Sequence, residues 1–84
     1  MACYYIMTAL VNHRSKNASK MQEILTKSGC IIKMRLGLHE AENVCSEEGL
    51  IILQLTGDKE AILKLEAELN TIDGVKAKLI ELCS

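Results

Sequence analysis

The segment over residues 49–58, Gly-Leu-Ile-Ile-Leu-Gln-Leu-Thr-Gly-Asp, constrains the fold more than any other stretch of the chain. An almost continuous apolar run ends at a glycine and a helix-capping acid, which predicts a central strand that leads into a helix. Successive residues of a strand point to opposite faces, so Ile51 and Leu55 lie on one face, and Leu50 and Ile52 lie on the other. We expect helices to bury the first face, and another sheet or subunit to cover the second.

Two helix patterns and three further strand patterns surround this central segment. Apolar residues recur at spacings of three and four in the helix patterns, and they alternate with polar residues in the outer strand patterns. Gly29 supplies the left-handed residue that we expect to end the first helix. Residues 39–48 are expected to form an acidic hairpin connection. The predicted elements are strands over residues 3–11, 30–38, 49–55 and 75–82, and helices over residues 18–28 and 59–72.

The second predicted strand alternates between an apolar face and a basic face. The apolar face carries Ile32, Met34, Leu36 and Leu38, and the other face carries Lys33, Arg35 and Gly37. Such alternation is typical of a half-exposed edge strand. Gly37 indicates a β-bulge, or a place where another group approaches the backbone closely.

The order of the elements predicts a single α+β domain over residues 1–84, with the ferredoxin-like βαββαβ sandwich fold. Right-handed crossovers then give a four-stranded antiparallel sheet ordered 4-1-3-2, with both helices on one face. A chain of 84 residues buries a small share of its surface, so we expect association between copies to contribute to its stability.

The charge and the aromatic content argue against several functions. The formal net charge is −1, which gives no general attraction to nucleic acid or to an anionic membrane. Tyr4 and Tyr5 are the only aromatic residues, so a base-stacking platform is not expected. No stretch reaches the roughly 18 to 20 apolar residues that span a bilayer, and the first apolar run lacks the basic residues of a signal peptide. We therefore expect a cytoplasmic protein.

The four cysteines, Cys3, Cys30, Cys45 and Cys83, contain no C-x-x-C pair, so we expect reduced thiols. Cys3 and Cys83 fall on neighbouring antiparallel strands, and Cys45 lies toward the same end of the predicted sheet. Three converging thiols are able to hold zinc or iron, which would make a metal or redox sensor. The alternative is that the cysteines are small core or terminal residues, because their spacing matches no known thiolate motif.

The first loop is the candidate ligand site. Asn12, His13 and Arg14 precede the first helix, where free backbone amides and the helix dipole attract anions. An ordinary polar loop is the alternative, because a tight phosphate cradle needs a glycine that this loop lacks. Arg35, expected on the open side of the second strand, is a further candidate for binding an anionic ligand. It would otherwise form a salt bridge between subunits or remain a solvated edge charge.

The two histidines do not indicate catalysis. Neither His13 nor His39 has a second ligand at chelating spacing, and neither has a nucleophile or carboxylate partner placed by spacing. We expect no enzymatic activity, and the residues identify no cofactor.

Four segments carry a resemblance that spans essentially the whole chain. They are Arg35-Leu36-Gly37-Leu38, Gly49-Leu50-Ile51-Ile52-Leu53-Gln54-Leu55, Gly57-Asp58, and Ile72-Asp73-Gly74-Val75-Lys76. On these residues the chain resembles the iron-only hydrogenase system regulators, a family of small ACT-like proteins. That family is similar in fold to ACT regulatory domains and to the C-terminal domain of the nickel-responsive repressor. The resemblance implies ligand sensing by an oligomer, in association with hydrogenase systems.

The chain departs from these relatives at the sites where they bind ligands. ACT domains that bind amino acids have a proline or glycine in the first loop, and residues 12–15 contain neither. The nickel ligands of the repressor match neither His13 nor His39, and its DNA-binding segment has no counterpart here. Neither amino-acid binding nor nickel binding is therefore carried over to this chain.

These observations together predict a non-catalytic, ACT-like regulatory or ligand-sensing domain. We expect a homodimer or homotetramer, formed through the open sheet face or the edge strands, that takes a small anionic ligand and does not bind nucleic acid directly. A module that binds a partner protein and no small molecule is the alternative. A metal or redox sensor built on Cys3, Cys45 and Cys83 is a third possibility.

Overall fold

A computed structural model of the chain describes residues 2–12, 18–38 and 48–84, and it contains six elements in the predicted order. The elements are β1 (Cys3–Asn12), α1 (Ala18–Lys27), β2 (Ile32–Leu38), β3 (Glu48–Leu55), α2 (Lys59–Asn70) and β4 (Val75–Cys83). Every predicted element is confirmed, with ends displaced by two residues at most. Most of the predicted acidic connection, together with residues 13–17 of the first loop, lies outside the described residues.

The four strands form one antiparallel sheet in the order β2-β3-β1-β4. This is the predicted order 4-1-3-2 read from the opposite edge, so the ferredoxin-like α+β fold is confirmed. β1 and β3 are apolar on both faces and occupy the centre, whereas β2 and β4 carry the basic residues and lie at the edges.

One face of the sheet packs against the buried stripes of both helices. Met7 and Leu53 are fully buried in the sheet layer of this core. The helices bury apolar residues at the predicted spacing, namely Met21 and Leu25 in α1, and Ile62, Leu65 and Leu69 in α2. The opposite face, called the open face below, is not covered by any element of the described residues.

The start of α2 has the predicted cap. Gly57 has a φ of 100°, in the left-handed region that glycine adopts without a steric cost. Asp58 Oδ1 accepts a hydrogen bond of 3.3 Å from the backbone N–H of Glu60. This bond satisfies one of the amide groups that a helix leaves unpaired at its first turn.

The prediction that Gly29 ends α1 in the left-handed conformation is wrong. Among the described residues, only Gly57 and Gly74 have positive φ, and Gly29 does not. The chain leaves α1 through successive i to i−3 hydrogen bonds instead, with the Gly29 N–H donating to Thr26 O at 3.1 Å and the Ile31 N–H donating to Ser28 O at 3.0 Å. Tight turns of this 3₁₀ type keep φ negative, so no left-handed residue is needed.

The β2 strand contains a bulge, but at a different residue from the one predicted. The register with β3 shifts between Ile32 and Met34, while Gly37 pairs regularly with Ile51. A bulge inserts one extra residue, so the alternation of faces reverses after it. Ile32 therefore faces the helices, whereas Met34 and Leu36 lie on the open face. For that reason, the prediction that the apolar residues of this strand share a single face is wrong.

Candidate functional site

The open face of the sheet carries most of the exposed apolar surface of the described residues. Its centre is formed by three residues of β1 and their partners in β3, namely Ile6 with Gln54, Thr8 with Ile52 and Leu10 with Leu50. Large hydrophobic side chains stand exposed on three of its strands, namely Tyr4 and Leu10 in β1, Met34 and Leu36 in β2, and Ile80 and Leu82 in β4. Contiguous exposed apolar surface on a small domain marks an interaction site. This face is therefore less polar than an ordinary solvent-exposed face.

The free edge of β4 is covered by side chains from α2. Asn70 Nδ2 donates a hydrogen bond of 3.0 Å to Ala77 O, and Asn70 Oδ1 accepts one of 2.8 Å from the Ala77 N–H. Glu66 Oε2 accepts a hydrogen bond of 2.6 Å from the Leu79 N–H. An added strand would need these backbone groups, so the contacts disfavour pairing at this edge.

The candidate ligand residue Asn12 lies at the end of β1, beside a groove of about 660 Å³. Its backbone N–H donates a hydrogen bond of 2.8 Å to Gly74 O, which joins β1 to the turn between α2 and β4. The groove is lined by Leu10, Asn12 and residues 70–76. Its size falls in the range of small-molecule sites. His13 and Arg14, the other predicted residues of the loop, lie outside the described residues.

Arg35 does not lie on the open side of β2, so that part of the expectation is wrong. It pairs with the buried Leu53 and shares the helix-facing side, where its Nη1 donates a hydrogen bond of 3.2 Å to Gln22 Oε1 in α1. Leu53 in turn pairs with Met7, five positions along β1 from Asn12. Five strand residues span about 17 Å, so one copy of the chain does not bring Arg35 to the groove beside Asn12.

A cysteine cluster lies at the other end of β1 from the groove. Cys3 and Cys83 pair directly across β1 and β4, with a Cα to Cα distance of 4.0 Å, and they form a disulfide. The expectation of reduced thiols is therefore wrong for these two residues. It holds for Cys30, an exposed free thiol, while Cys45 lies outside the described residues. The adjacency of Cys3 and Cys83 follows from the topology and is confirmed.

Glu81 is the neighbour of these cysteines that the sequence reasoning missed. Its Oε1 is 3.5 Å from Cys83 Sγ, and its Oε2 forms a salt bridge of 2.9 Å with Lys59 Nζ. The hydrogen bond from Lys59 to Glu81, assisted by the attraction between their charges, raises the pKa of Lys59. The position of Glu81 two residues before Cys83 was the available signal, because residues i and i+2 of a strand share a face.

The described residues include no helix that is long and apolar enough to cross a bilayer.

Comparison with known proteins identifies structural neighbours but no named family. No protein-family model and no curated protein matches the chain. An uncharacterized protein from Thermotoga maritima is 29% identical, with 98% of this chain and 100% of that chain covered and a TM-score of 0.84. The two chains therefore have the same fold over essentially their whole lengths. The predicted membership of the hydrogenase system regulators stays a prediction.

Two more distant structures share the fold at lower identity. A formyltetrahydrofolate deformylase from Pseudomonas putida KT2440 is 11% identical, with a TM-score of 0.56, and the match covers 90% of this chain and 28% of the deformylase chain. The CPII protein from Thiomonas intermedia K12, solved with ADP, AMP and acetate bound, is 12% identical, with a TM-score of 0.50 and coverage of 98% and 90%. At such identities the likeness concerns the fold alone.

Proposed function

We propose that this chain is a non-catalytic, ACT-like regulatory domain that acts as a cytoplasmic homo-oligomer and senses a small anionic ligand at a boundary between subunits. The observation that carries the proposal is the exposed apolar surface of the open face. The ferredoxin-like fold, shared with the Thermotoga maritima protein and CPII, is compatible with a regulatory role. The resemblance to hydrogenase system regulators supports an association with those systems.

The partner of the open face is a second copy of the chain. The α2 side chains that cover the β4 edge disfavour association at that edge. Leu36, Leu82 and Tyr4 are about half exposed or more on the open face, and a copy related by two-fold symmetry would present the same apolar residues to them. Burying this surface between two copies stabilises a domain whose own core is small.

The groove beside Asn12 borders the open face, so a ligand bound in it would lie next to the proposed subunit boundary. Leu10 and Lys76 pair with each other on the open face, and both line the groove. Asp73 and Lys76 contribute one charge of each sign to the lining, so the proposed preference for anions rests on His13 and Arg14, which follow Asn12 in the sequence. Closure of the open face by a second copy would enclose one side of the groove.

The proposed oligomer is tested with two single variants, one of an exposed leucine on the open face and one of an exposed leucine on α2. We expect the wild-type protein to be a dimer or tetramer, and Leu36→Glu to weaken association by at least about 100-fold, because an unpaired carboxylate would be buried in the interface. Leu63→Glu is the matched control, since Leu63 lies on α2 and is 44% exposed against 49% for Leu36. Native mass spectrometry over a range of concentrations measures the subunit number.

A wild-type protein that is monomeric at high micromolar concentration would contradict the proposed oligomer. Equal dissociation of the Leu36→Glu and Leu63→Glu variants would contradict the open face as its interface. A monomer would also favour the alternative function, in which the open face binds a partner protein and no small molecule.

The ligand is tested with acetate and inorganic phosphate as probe anions. Binding to the native state raises the melting temperature by mass action, and we expect Arg14→Ala to remove most of that increase. Lys27→Ala, which removes a lysine from the last turn of α1, is the control for a general loss of positive charge. Equal stabilisation of wild type and Arg14→Ala would show that the first loop does not bind these anions.

A further inference from the structure

Cys3, Cys83 and Glu81 form a group of potential metal ligands at the disulfide end of the sheet. One ligand atom from each of the three lies within 4.8 Å of the other two, and all three side chains are exposed. We propose that reduction of the Cys3–Cys83 disulfide creates a binding site for a thiophilic divalent cation such as Zn²⁺, with Glu81 as the third protein ligand. Oxidation of the two thiols closes the site. This inference does not depend on the proposed ligand-sensing function.

The backbone holds the two cysteines together whether or not the sulfurs are bonded. Cys3 and Cys83 are directly paired in the antiparallel register of β1 and β4. Beyond them, the Ser84 N–H donates a hydrogen bond of 2.8 Å to Ala2 O, and the Ala2 N–H donates one of 3.1 Å to Ser84 Oγ. Hydrogen bonds on the terminal side of the pair therefore keep both thiols on the same face after reduction.

The distances suit a single small cation. Zinc binds thiolate sulfur at about 2.3 Å and carboxylate oxygen at about 2.1 Å, so two ligand atoms on one zinc ion lie less than about 4.6 Å apart. The three ligand atoms of this cluster lie within 4.8 Å of one another in the oxidised protein, where the two sulfurs are bonded to each other. After reduction the sulfurs must move apart to the spacing of two ligands on one ion, and rotation of the exposed side chains allows this. Three protein ligands leave a fourth position of a tetrahedron for water.

The charges of the site balance when a divalent cation is bound. Two thiolates and the Glu81 carboxylate carry three negative charges, which the divalent cation and the neighbouring Lys59 ammonium neutralise. Lys59 contacts Glu81 through Oε2, whereas Oε1 faces Cys83 Sγ. The carboxylate can therefore keep its salt bridge through one oxygen and bind the cation through the other.

The redox step is a thiol-disulfide exchange followed by proton displacement. A dithiol reductant supplies two electrons and two protons to the Cys3–Cys83 bond, which becomes two thiols while the reductant forms its own disulfide. The divalent cation then replaces the two thiol protons, which pass to solvent. In the oxidised protein the sulfurs carry no charge, and Glu81 alone does not chelate.

The test is a Co²⁺ titration of the full chain, monitored by the thiolate-to-cobalt charge-transfer absorption. The titration is then repeated with Zn²⁺ as a competitor. We expect the reduced protein to bind one equivalent and the oxidised protein to show no such absorption. Cys83→Ser should abolish the signal, and Glu81→Gln should weaken binding by about tenfold or more. Cys30→Ser is the matched control, because it removes an exposed thiol outside the cluster and should leave the titration unchanged.

Four results would overturn the redox-dependent cation site itself. They are the absence of a thiolate-cobalt signal in the reduced wild-type protein, an equal signal in the oxidised protein, retention of the signal in Cys83→Ser, and its loss in Cys30→Ser. The Cys45→Ser variant tests whether the third ligand is Glu81 or Cys45, the thiol that was predicted from the sequence. Unchanged binding in Cys45→Ser, with weakened binding in Glu81→Gln, supports the assignment, and the reverse pattern overturns it.

Discussion

Replacing Cys83 with serine is expected to lower the free energy of unfolding of the oxidised protein by about 4 kcal/mol. The Cys3–Cys83 disulfide joins residues 80 apart, so nearly the whole chain lies within the loop that it closes. A cross-link over so long a loop removes a large part of the conformational entropy of the unfolded chain. Urea unfolding with a chelator present, with and without a dithiol reductant, measures the difference.

Two controls distinguish the cross-link from the side chain. Under reducing conditions, wild type and Cys83→Ser should unfold within about 0.5 kcal/mol of each other, since an exposed cysteine makes a small contribution of its own. Cys30→Ser should match wild type under both conditions, because Cys30 is exposed and unbonded. A Cys83→Ser variant that is equally destabilised with and without reductant would show that the effect does not come from the disulfide.

Replacing Leu53 with alanine is expected to cost about 3 to 4 kcal/mol of stability, the second largest effect. Leu53 is fully buried at the centre of β3, paired with Met7 on one side and Arg35 on the other. The truncation removes three buried carbon atoms and leaves a cavity that the neighbouring strands cannot fully close. Chemical unfolding of the reduced protein, in which the disulfide makes no contribution, gives the cleanest measurement.

Leu63→Ala is the matched control for Leu53→Ala. The same atoms are removed, but Leu63 is 44% exposed on the outer side of α2. We expect a change below about 1 kcal/mol, because little apolar area returns to water and alanine favours the helix. Comparable losses in the two leucine variants would contradict the burial of Leu53 in the core.

Local periodicity was sufficient for most of the fold. The spacing of Ile62, Leu65 and Leu69 identifies the buried stripe of α2, and the alternation in β3 separates Leu53 from Ile52 correctly. These assignments succeed because the period of an element is a property of its own backbone. Strand order followed from the same patterns, because the βαββαβ arrangement with right-handed crossovers allows few topologies.

The candidate sites were less predictable because they depend on more than one element. Asn12 lies beside a groove, but most of the walls of that groove come from the end of α2 and the turn between α2 and β4. Arg35 was assigned to the wrong side of the sheet, because the bulge between Ile32 and Met34 reverses the alternation after it. No pattern in the β2 segment marks that residue, whereas Gly37, which does carry a signal, pairs regularly.

The sequence alone thus determined the elements, their order and the composition of the core, since each follows from spacing within a short stretch of chain. The tertiary structure decided the bulge in β2, the covering of the β4 edge by Glu66 and Asn70, and the meeting of Glu81 with Cys3. Each of these depends on which residues two separate elements place opposite one another. That register is determined by hydrogen bonding and packing across the whole domain, not by the preferences of any one segment.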